Sequence, residues 1–240
     1  MEGIQRAKKW IKPILPRFVF KAIWKYREIR DTIDFLRQQR RKEFKIPERP
    51  MLDAAEMPVF CRMLENCRRY LEYGSGGSTV LAARLNKPFT SADTDQYFLM
   101  AVQRRIGSLG PDQHLVHADI GWTKPYGYPL FTTALSWRVK KWRAYGEYPW
   151  RYVEDGFLPD LVMIDGRFRV AAALTSCLHL ANAPESRILV DDYSDRVFYH
   201  EIEAYARLVG VAGRMAIFQP LAGTSPAIEE AIDRYSLDWR

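Results

Sequence analysis

Residues Tyr70–Leu85 read YLEYGSGGSTVLAARL, and the fold follows from how this stretch is read. Tyr70 to Tyr73 are aromatic and apolar over four residues, which predicts a buried strand, while Val80, Leu81 and Leu85 recur at helical spacing. Between them, Gly74, Gly76 and Gly77 allow positive φ and a close backbone approach to a ligand, and Ser78 or Thr79 is expected to cap the helix. Strand, glycine turn and capped helix together predict a nucleotide site. A dinucleotide fingerprint would need its third glycine where Thr79 stands, and a phosphate-cradling loop would need a Lys where Gly77 precedes Ser78. Neither pattern is met. Glu72, an acid at the strand end, would repel phosphate and suits a ligand with a positively charged amino-acid moiety.

EYGSGGST, followed by a second strand ending in TSADTD, resembles motifs I and II of the class I S-adenosylmethionine-dependent methyltransferases. VHADIG, PDLVMIDGRFRV and ILVDDYSDR resemble the third, fourth and fifth strand ends of a bacterial subgroup of methyltransferase-like proteins, so the likeness runs from about Leu52 to Gln219. It implies an α/β fold, a Rossmann-like sheet with helices on both faces, and S-adenosylmethionine as cofactor. Carried onto this chain, the implied cofactor residues are Glu72, Gly74, Ser75, Gly76, Ser78, Thr79, Asp93, Asp119 and Ile120. Asp93 is placed to accept both ribose hydroxyls or to cap the next helix, a role Asp95 fills equally well. Asp119 stands where family members put a side chain near the adenine amino group; its other reading is a turn before Gly121.

With 48% hydrophobic and 27% charged residues, the 240-residue chain suits one globular domain with an appendage, and neither a disordered nor a fibrous class fits. Cys61, Cys67 and Cys177 lack metal-ligand spacing and even pairing, which suits a reducing cytoplasm. The net charge of +7 is unevenly placed: residues 1–50 hold 15 Lys and Arg against 6 Asp and Glu, the rest 21 against 23. Residues 1–50 therefore read as a basic arm and linker ahead of a domain at 51–240.

In the arm, Trp10, Ile11, Ile14, Leu15, Phe18, Phe20, Ile23 and Trp24 interleave with lysines and arginines, and Pro13 and Pro16 break its start into short pieces. A helix follows with Val19, Ile23, Tyr26, Ile29, Ile33 and Leu36 on one side. Such a helix suits peripheral contact with an anionic membrane surface through residues 1–45, on the inner face of the membrane. It is too interrupted to span a bilayer. The alternative is packing on the domain or on a second copy in a homodimer. Nucleic acid is disfavoured, since the basic excess is confined to one arm.

Along the domain, helices are expected at Pro58–Arg69, Gln96–Ile106, Val170–Asn182, Arg196–Leu208 and Pro226–Tyr235. Strands are expected at Lys87–Ala92, His114–His117, Leu161–Ile164, Ile188–Val190 and Val211–Phe218. The family likeness adds an antiparallel pair completing a seven-stranded sheet. An insertion at about 121–157, with Trp122, Tyr126, Tyr128, Phe131, Trp137, Trp142, Tyr145, Tyr148, Trp150 and Tyr152, is too aromatic for a plain loop. It can form a local core, a dimer surface or a wall for the methyl acceptor.

Ligands of open parallel sheets bind outside the carboxyl ends of the strands. Asp165, Asp191 and Asp192 are expected to converge there, with Asp165 and Asp192 as catalytic candidates. The resemblance also implies a metal alternative, because some sugar and catechol O-methyltransferases of this fold place metal ligands at the positions of Asp165, Asp191 and Asp192, which suits Mg2+. Against both stands a plain structural reading, in which the aspartates pair with Arg167, Arg169 or Arg196. The expected activity is methylation of oxygen in a sugar, glycolipid or other polar small acceptor. The contrasting expectation is a non-catalytic cofactor-binding module recruited to a surface.

Overall fold

The computed structural model describes residues 17–41, 43–154, 157–223 and 226–240. Two compact units divide the chain, residues 1–41 and residues 42–240. The first holds α1 (Arg17–Arg41), 25 residues or about 37 Å at 1.5 Å per residue. Ile23, Tyr26, Ile29 and Ile33 recur along α1 and are exposed. Trp10, Ile11, Ile14 and Leu15, the proline breaks, and the side chains of Phe18, Phe20 and Trp24 lie outside the described residues. Among the described residues, no helix is long and apolar enough to cross a membrane.

The second unit begins with α2 (Glu56–Asn66), β1 (Tyr70–Tyr73), α3 (Gly77–Arg84), β2 (Phe89–Asp93), α4 (Gln96–Ile106) and β3 (Gln113–His117). The insertion follows as a hairpin of β4 (Thr123–Lys124) and β5 (Tyr128–Pro129), then α5 (Ser136–Ala144) and a 3-10 turn at Pro149–Tyr152. The chain continues through β6 (Leu161–Ile164), α6 (Arg169–His179), β7 (Arg187–Val190), a 3-10 segment (Val197–Ala204), β8 (Ala206–Ala212), β9 (Met215–Pro220) and α7 (Pro226–Tyr235). Seven strands form one sheet in the order β3-β2-β1-β6-β7-β9-β8. β1, β2, β3, β6 and β7 are parallel, and β9 runs antiparallel to both β7 and β8. This is the α/β, Rossmann-like sheet expected from the motifs.

Each strand feeds both faces. On β1, Leu71 and Tyr73 join a core with Phe168, Leu174 and Cys177, while Tyr70 joins Phe60, Leu64, Leu161 and Met163 on the other side. Burial on both faces is why β6 and β7 read as unbroken apolar runs. The order reverses between β1 and β6: from β1 the chain steps outward to β2 and β3, then crosses back to β6. The crevice at that point is where such sheets hold ligands.

The expected helix over Arg196–Leu208 and strand over Val211–Phe218 are corrected by the structure. A 3-10 segment ends at Ala204, and a hairpin of β8 and β9 turns at Gly213, whose φ is +60°. The period-two pattern of β8 was masked because its outward residues include the exposed apolar Val209 and Val211. Part of the insertion is core: Trp142, Tyr145 and Trp150 are buried. Trp150 Nε1 donates to the Tyr73 hydroxyl at 2.8 Å, and that hydroxyl donates to the Gly146 carbonyl at 2.5 Å. Tyr73→Phe strands a buried indole N–H and a buried carbonyl, so it is expected to destabilise the protein by about 1–3 kcal/mol. A lower urea midpoint at unchanged m-value checks this.

Candidate active site

The glycine turn sits on a buried carboxylate. Glu72 is 0% exposed. One of its oxygens accepts from the Tyr70 hydroxyl at 2.9 Å and from Ser78 Oγ at 2.6 Å, and the other accepts from Thr79 Oγ1. Burial raises its pKa, with hydrogen bonds from Ser78, Thr79, Ser91 and Tyr70 opposing the rise. Two expectations change. Glu72 has no open face toward a ligand, so it positions the turn from beneath. The N-cap residue of α3 is Gly76, with Ser78 and Thr79 inside the helix: Thr79 Oγ1 accepts from the Gly76 amide at 2.8 Å and so caps the helix start from the third position, and both hydroxyls also turn to Glu72. Ser91, opposite Glu72 in the β1–β2 register, completes the network, with its hydroxyl 2.6 Å from that of Ser75.

Gly74 has φ +98°, and a Cβ there would lie 2.8 Å from the carbonyl of Asp165 and from the amide of Gly166. A Cβ on Gly166 would come within 3.1 Å of Gly74 N and 2.3 Å of the Tyr145 hydroxyl. The loops after β1 and β6 therefore touch backbone to backbone. A Cβ on Gly76 would meet nothing within 4 Å, so the turn presents bare main chain to open space. Ile120, by contrast, is buried, and its carbonyl accepts from Trp142 Nε1 at 3.2 Å.

Asp93 and Asp95 divide the roles left open by the sequence. Asp95 caps α4, accepting from the amides of Tyr97 and Phe98 at 2.8 and 3.2 Å. Asp93, at the end of β2, accepts from the Ser75 amide at 3.1 Å and the Asp95 amide at 2.8 Å. Burial pushes its pKa up to about 7, against the pull of those two amides. Asp119 bonds the Gly121 amide at 2.9 Å and the Lys141 ammonium at 2.5 Å. Burial acts to raise its pKa, but the hydrogen bonds from Lys141 and the Gly121 amide, with the charge of Lys141 and the nearby His117, leave it below its ordinary value.

After β6 and β7 the backbone is unusual, with Phe168 and Asp192 at φ +50° and +58°. Left-handed non-glycine residues concentrate where structure is held for function. Between them lies Arg169, almost fully buried, which binds Asp165 Oδ1 at 2.7 Å, Asp192 Oδ2 at 3.1 Å and the carbonyl of Asp191 at 2.7 Å. Asp192 also binds Arg196 at 2.8 Å and Arg214. With three guanidinium partners Asp192 is committed to ion pairs, as in the structural reading weighed against its catalytic candidacy.

Asp165 keeps a side chain 40% exposed. It lies near enough to Asp191 for one carboxyl to hydrogen bond to the other when protonated, and burial raises the pKa of both. The residues do not fit the expected magnesium. Among the described residues no group of three His, Cys, Asp or Glu side chains could hold a metal ion, and arginines take the oxygens of Asp165 and Asp192 that a cation would need. His117, at the end of β3, is exposed, with Nε2 3.3 Å from the Thr94 carbonyl. A cleft of about 430 Å³ lined by Arg84, Lys87, Arg105 and Gln113 opens at the opposite ends of β2 and β3, away from these groups.

No protein-family model matches the chain, and no curated protein matches it. A solved methyltransferase-like protein, spo2022 from Silicibacter pomeroyi DSS-3, is 32% identical, with a TM-score of 0.64; the alignment covers 80% of this chain and 100% of that one. The chain belongs to the methyltransferase-like proteins. The cofactor-bound Rv0187 from MTB is 17% identical over 80% of this methyltransferase-like protein and 89% of its own chain, with a TM-score of 0.45.

Ser91, Tyr70 and Tyr145 are the site-building residues that sequence reasoning did not single out as such, whereas Arg169 was named as a partner of the aspartates and pairs with Asp165 and Asp192. The roles of the other three depend on strand register and on contacts across the crevice. Asp93 makes the site sensitive to pH. Its folded pKa of about 7 exceeds the ordinary 3.8, so between those values the folded protein keeps a proton that the unfolded chain has released. Stability is thus highest at low pH in this window and declines as pH rises through 7. Asp93→Asn is expected to remove about 1–2 kcal/mol of the loss between pH 5 and pH 8 in denaturant unfolding. An unchanged slope would show that Asp93 titrates normally.

Proposed function

We propose that this protein is an S-adenosylmethionine-dependent methyltransferase acting on oxygen in a sugar, glycolipid or other polar small acceptor. The observation that carries the reading is the bare turn at Gly74–Gly76, placed at the reversal of strand order between Asp93 and the Asp165–Asp191 carboxyl pair. The Gly76 backbone leaves room for a methionyl chain. On this reading ribose hydroxyls would donate to Asp93, whose two oxygens each already accept one backbone amide and keep a further lone pair. When bound, S-adenosylmethionine supplies an electrophilic methyl group whose transfer depends on alignment.

The acceptor hydroxyl must release a proton, and Asp165 is the base on this reading. It is the carboxylate at the strand ends that combines a 40% exposed side chain with a raised pKa, which makes it a stronger proton acceptor than an ordinary carboxylate. Arg169 fixes Asp165 Oδ1, while Asp191 shares the proton load. The two titrate as a pair, so activity is expected to rise as the pair ionises.

Calorimetric titration with S-adenosylhomocysteine tests the cofactor assignment. Affinity is expected to increase as pH rises through about 7, where Asp93 becomes a full acceptor. Asp93→Ala is expected to weaken binding about ten-fold or more, as for loss of a charged hydrogen bond. Asp165→Asn should keep its affinity for S-adenosylhomocysteine. Absence of binding in folded wild-type protein would refute the reading.

We also infer that α1 recruits the protein to an anionic membrane surface. Support comes from the exposed Ile23, Tyr26, Ile29 and Ile33 on a helix whose last turn carries Arg40 and Arg41. Ile29→Glu with Ile33→Glu is expected to weaken binding to phosphatidylserine vesicles by about ten-fold or more, given roughly 1.5–3 kcal/mol per buried isoleucine. Equal sedimentation of variant and wild type with vesicles would refute it.

A further inference from the structure

Buried polar atoms are normally hydrogen-bonded. Among the described residues, the buried side-chain nitrogens and oxygens without a partner are Arg167 Nε, Arg167 Nη1 and Asp191 Oδ1. All lie just past the carboxyl ends of β6 and β7, where the half-exposed Asp165 follows Ile164, Asp191 follows its pair Val190, and Arg167 stands two residues beyond Asp165. Two donors and one acceptor are thus left open around one carboxylate.

Arg167 differs from the other arginines here. Arg169, Arg196 and Arg214 are committed to carboxylates. Arg167 is 6% exposed and has no ion-pair partner within 4 Å among the described residues. Its guanidinium lies on the ring of Tyr128, 4.2 Å from the centroid, and its amide donates to the Tyr145 hydroxyl at 3.2 Å. Its stem runs beside Gly127, whose carbonyl accepts from Thr94 Oγ1 at 3.2 Å. The group is therefore wedged between the β4–β5 hairpin and the ends of β2 and β6. Stacking on an aromatic face recovers only part of the cost of burying a cation, and leaves the in-plane N–H groups unsatisfied. A planar fork held in place with free donors matches a carboxylate or phosphate.

We propose that the acceptor is a hydroxylated small molecule bearing a carboxylate or phosphate, that Arg167 binds this anionic group, and that a hydroxyl of the same molecule is thereby held against Asp165 and Asp191 Oδ1. This rests on the methyltransferase reading and narrows its acceptor. The competing source of the anion is the carboxylate of the cofactor's own amino-acid end.

The test is titration of the full chain, saturated with S-adenosylhomocysteine, with inorganic phosphate and with acetate. Wild type is expected to bind one or both, and Arg167→Met, which keeps the bulk over Tyr128, is expected to bind them at least about ten-fold more weakly. Arg167→Lys should fall between the two, and it keeps the test valid if the Met variant does not fold. Arg151→Met, altered at an exposed arginine, should match wild type. S-adenosylhomocysteine affinity should be unchanged in Arg167→Met.

Equal anion binding by wild type and Arg167→Met, or none by wild type, would overturn the proposal and leave the cofactor reading intact. Loss of S-adenosylhomocysteine affinity in Arg167→Met, with 5′-methylthioadenosine affinity preserved, would also overturn it, by giving the anion site to the cofactor. Arg167-dependent phosphate binding by a wild type that binds no S-adenosylhomocysteine would support the anion site and refute the methyltransferase reading.

Discussion

The contact between the backbones after β1 and β6 is the constraint on which the remainder of the site depends. Gly74 and Gly166 meet so closely that a Cβ on Gly74 would collide with the main chain after β6, while one on Gly166 would press on the main chain of Tyr73 and Gly74 at 3.1 Å and collide with the Tyr145 hydroxyl. Strand pairing alone would bring the strands to the usual spacing; the missing side chains let the loops beyond them close as well. The glycine turn and Asp165 then face the same crevice. Tyr145 tightens the same joint from the insertion, its hydroxyl accepting the Arg167 amide. Beneath the turn, Glu72 holds both hydroxyls of the first turn of α3, so the helix start and the strand end move as one piece.

Charge is distributed unequally around this joint. Asp192 receives three arginines and becomes scaffold, tying the loop after β7 to the β8–β9 turn through Arg214. Asp165 receives one arginine, and Asp191 has an oxygen with no partner at all. Burial of incompletely neutralised carboxylates costs stability once they ionise, so Asp93, Asp165 and Asp191 are all harder to ionise than ordinary carboxylates, with Asp93 and Asp191 raised to about 7. Perturbed groups of this kind gather where chemistry needs them, whereas a purely structural cluster would be neutralised as Asp192 is.

The parts of this arrangement legible in the chain were those written in local pattern. β6 and β7 are short apolar runs closed by aspartates, and β1 is an aromatic and apolar run ahead of a glycine turn. α4 and α7 match their expected bounds because their apolar spacing and flanking residues agree. The β8–β9 hairpin was not legible, because exposed Val209 and Val211 gave the edge strand no clear alternation. Asp165, Asp191 and Asp192 could be placed together from their positions at strand ends, yet the different ion-pair environments of Asp191 and Asp192 could not be read. They depend on which carboxylate Arg214 reaches from a hairpin more than twenty residues away, a distance no spacing rule encodes. The burial of Glu72 was hidden for a related reason, since two of its partners, Tyr70 and Ser91, acquire their places from side-chain alternation and strand register.

The aromatic insertion divides along the same boundary as the chemistry. Trp142, Tyr145 and Trp150 turn inward, fill the core beside Tyr73 and Phe168, and make the insertion part of the sheet's support. Trp122, Tyr126, Phe131 and Trp137 turn outward, and Tyr128 lies over Arg167 at the hairpin. Under the proposed activity, the cofactor half of the crevice is built by the sheet: Gly74, Gly76 and Asp93 all follow its strands. The acceptor half is built by the sheet's Asp165 and Arg167 together with the hairpin. Changes to the hairpin can then alter which acceptor is held without disturbing the joint between β1 and β6. The inward aromatics anchor that variable wall to the core, which lets an exposed two-residue-per-strand hairpin hold a buried cation in place.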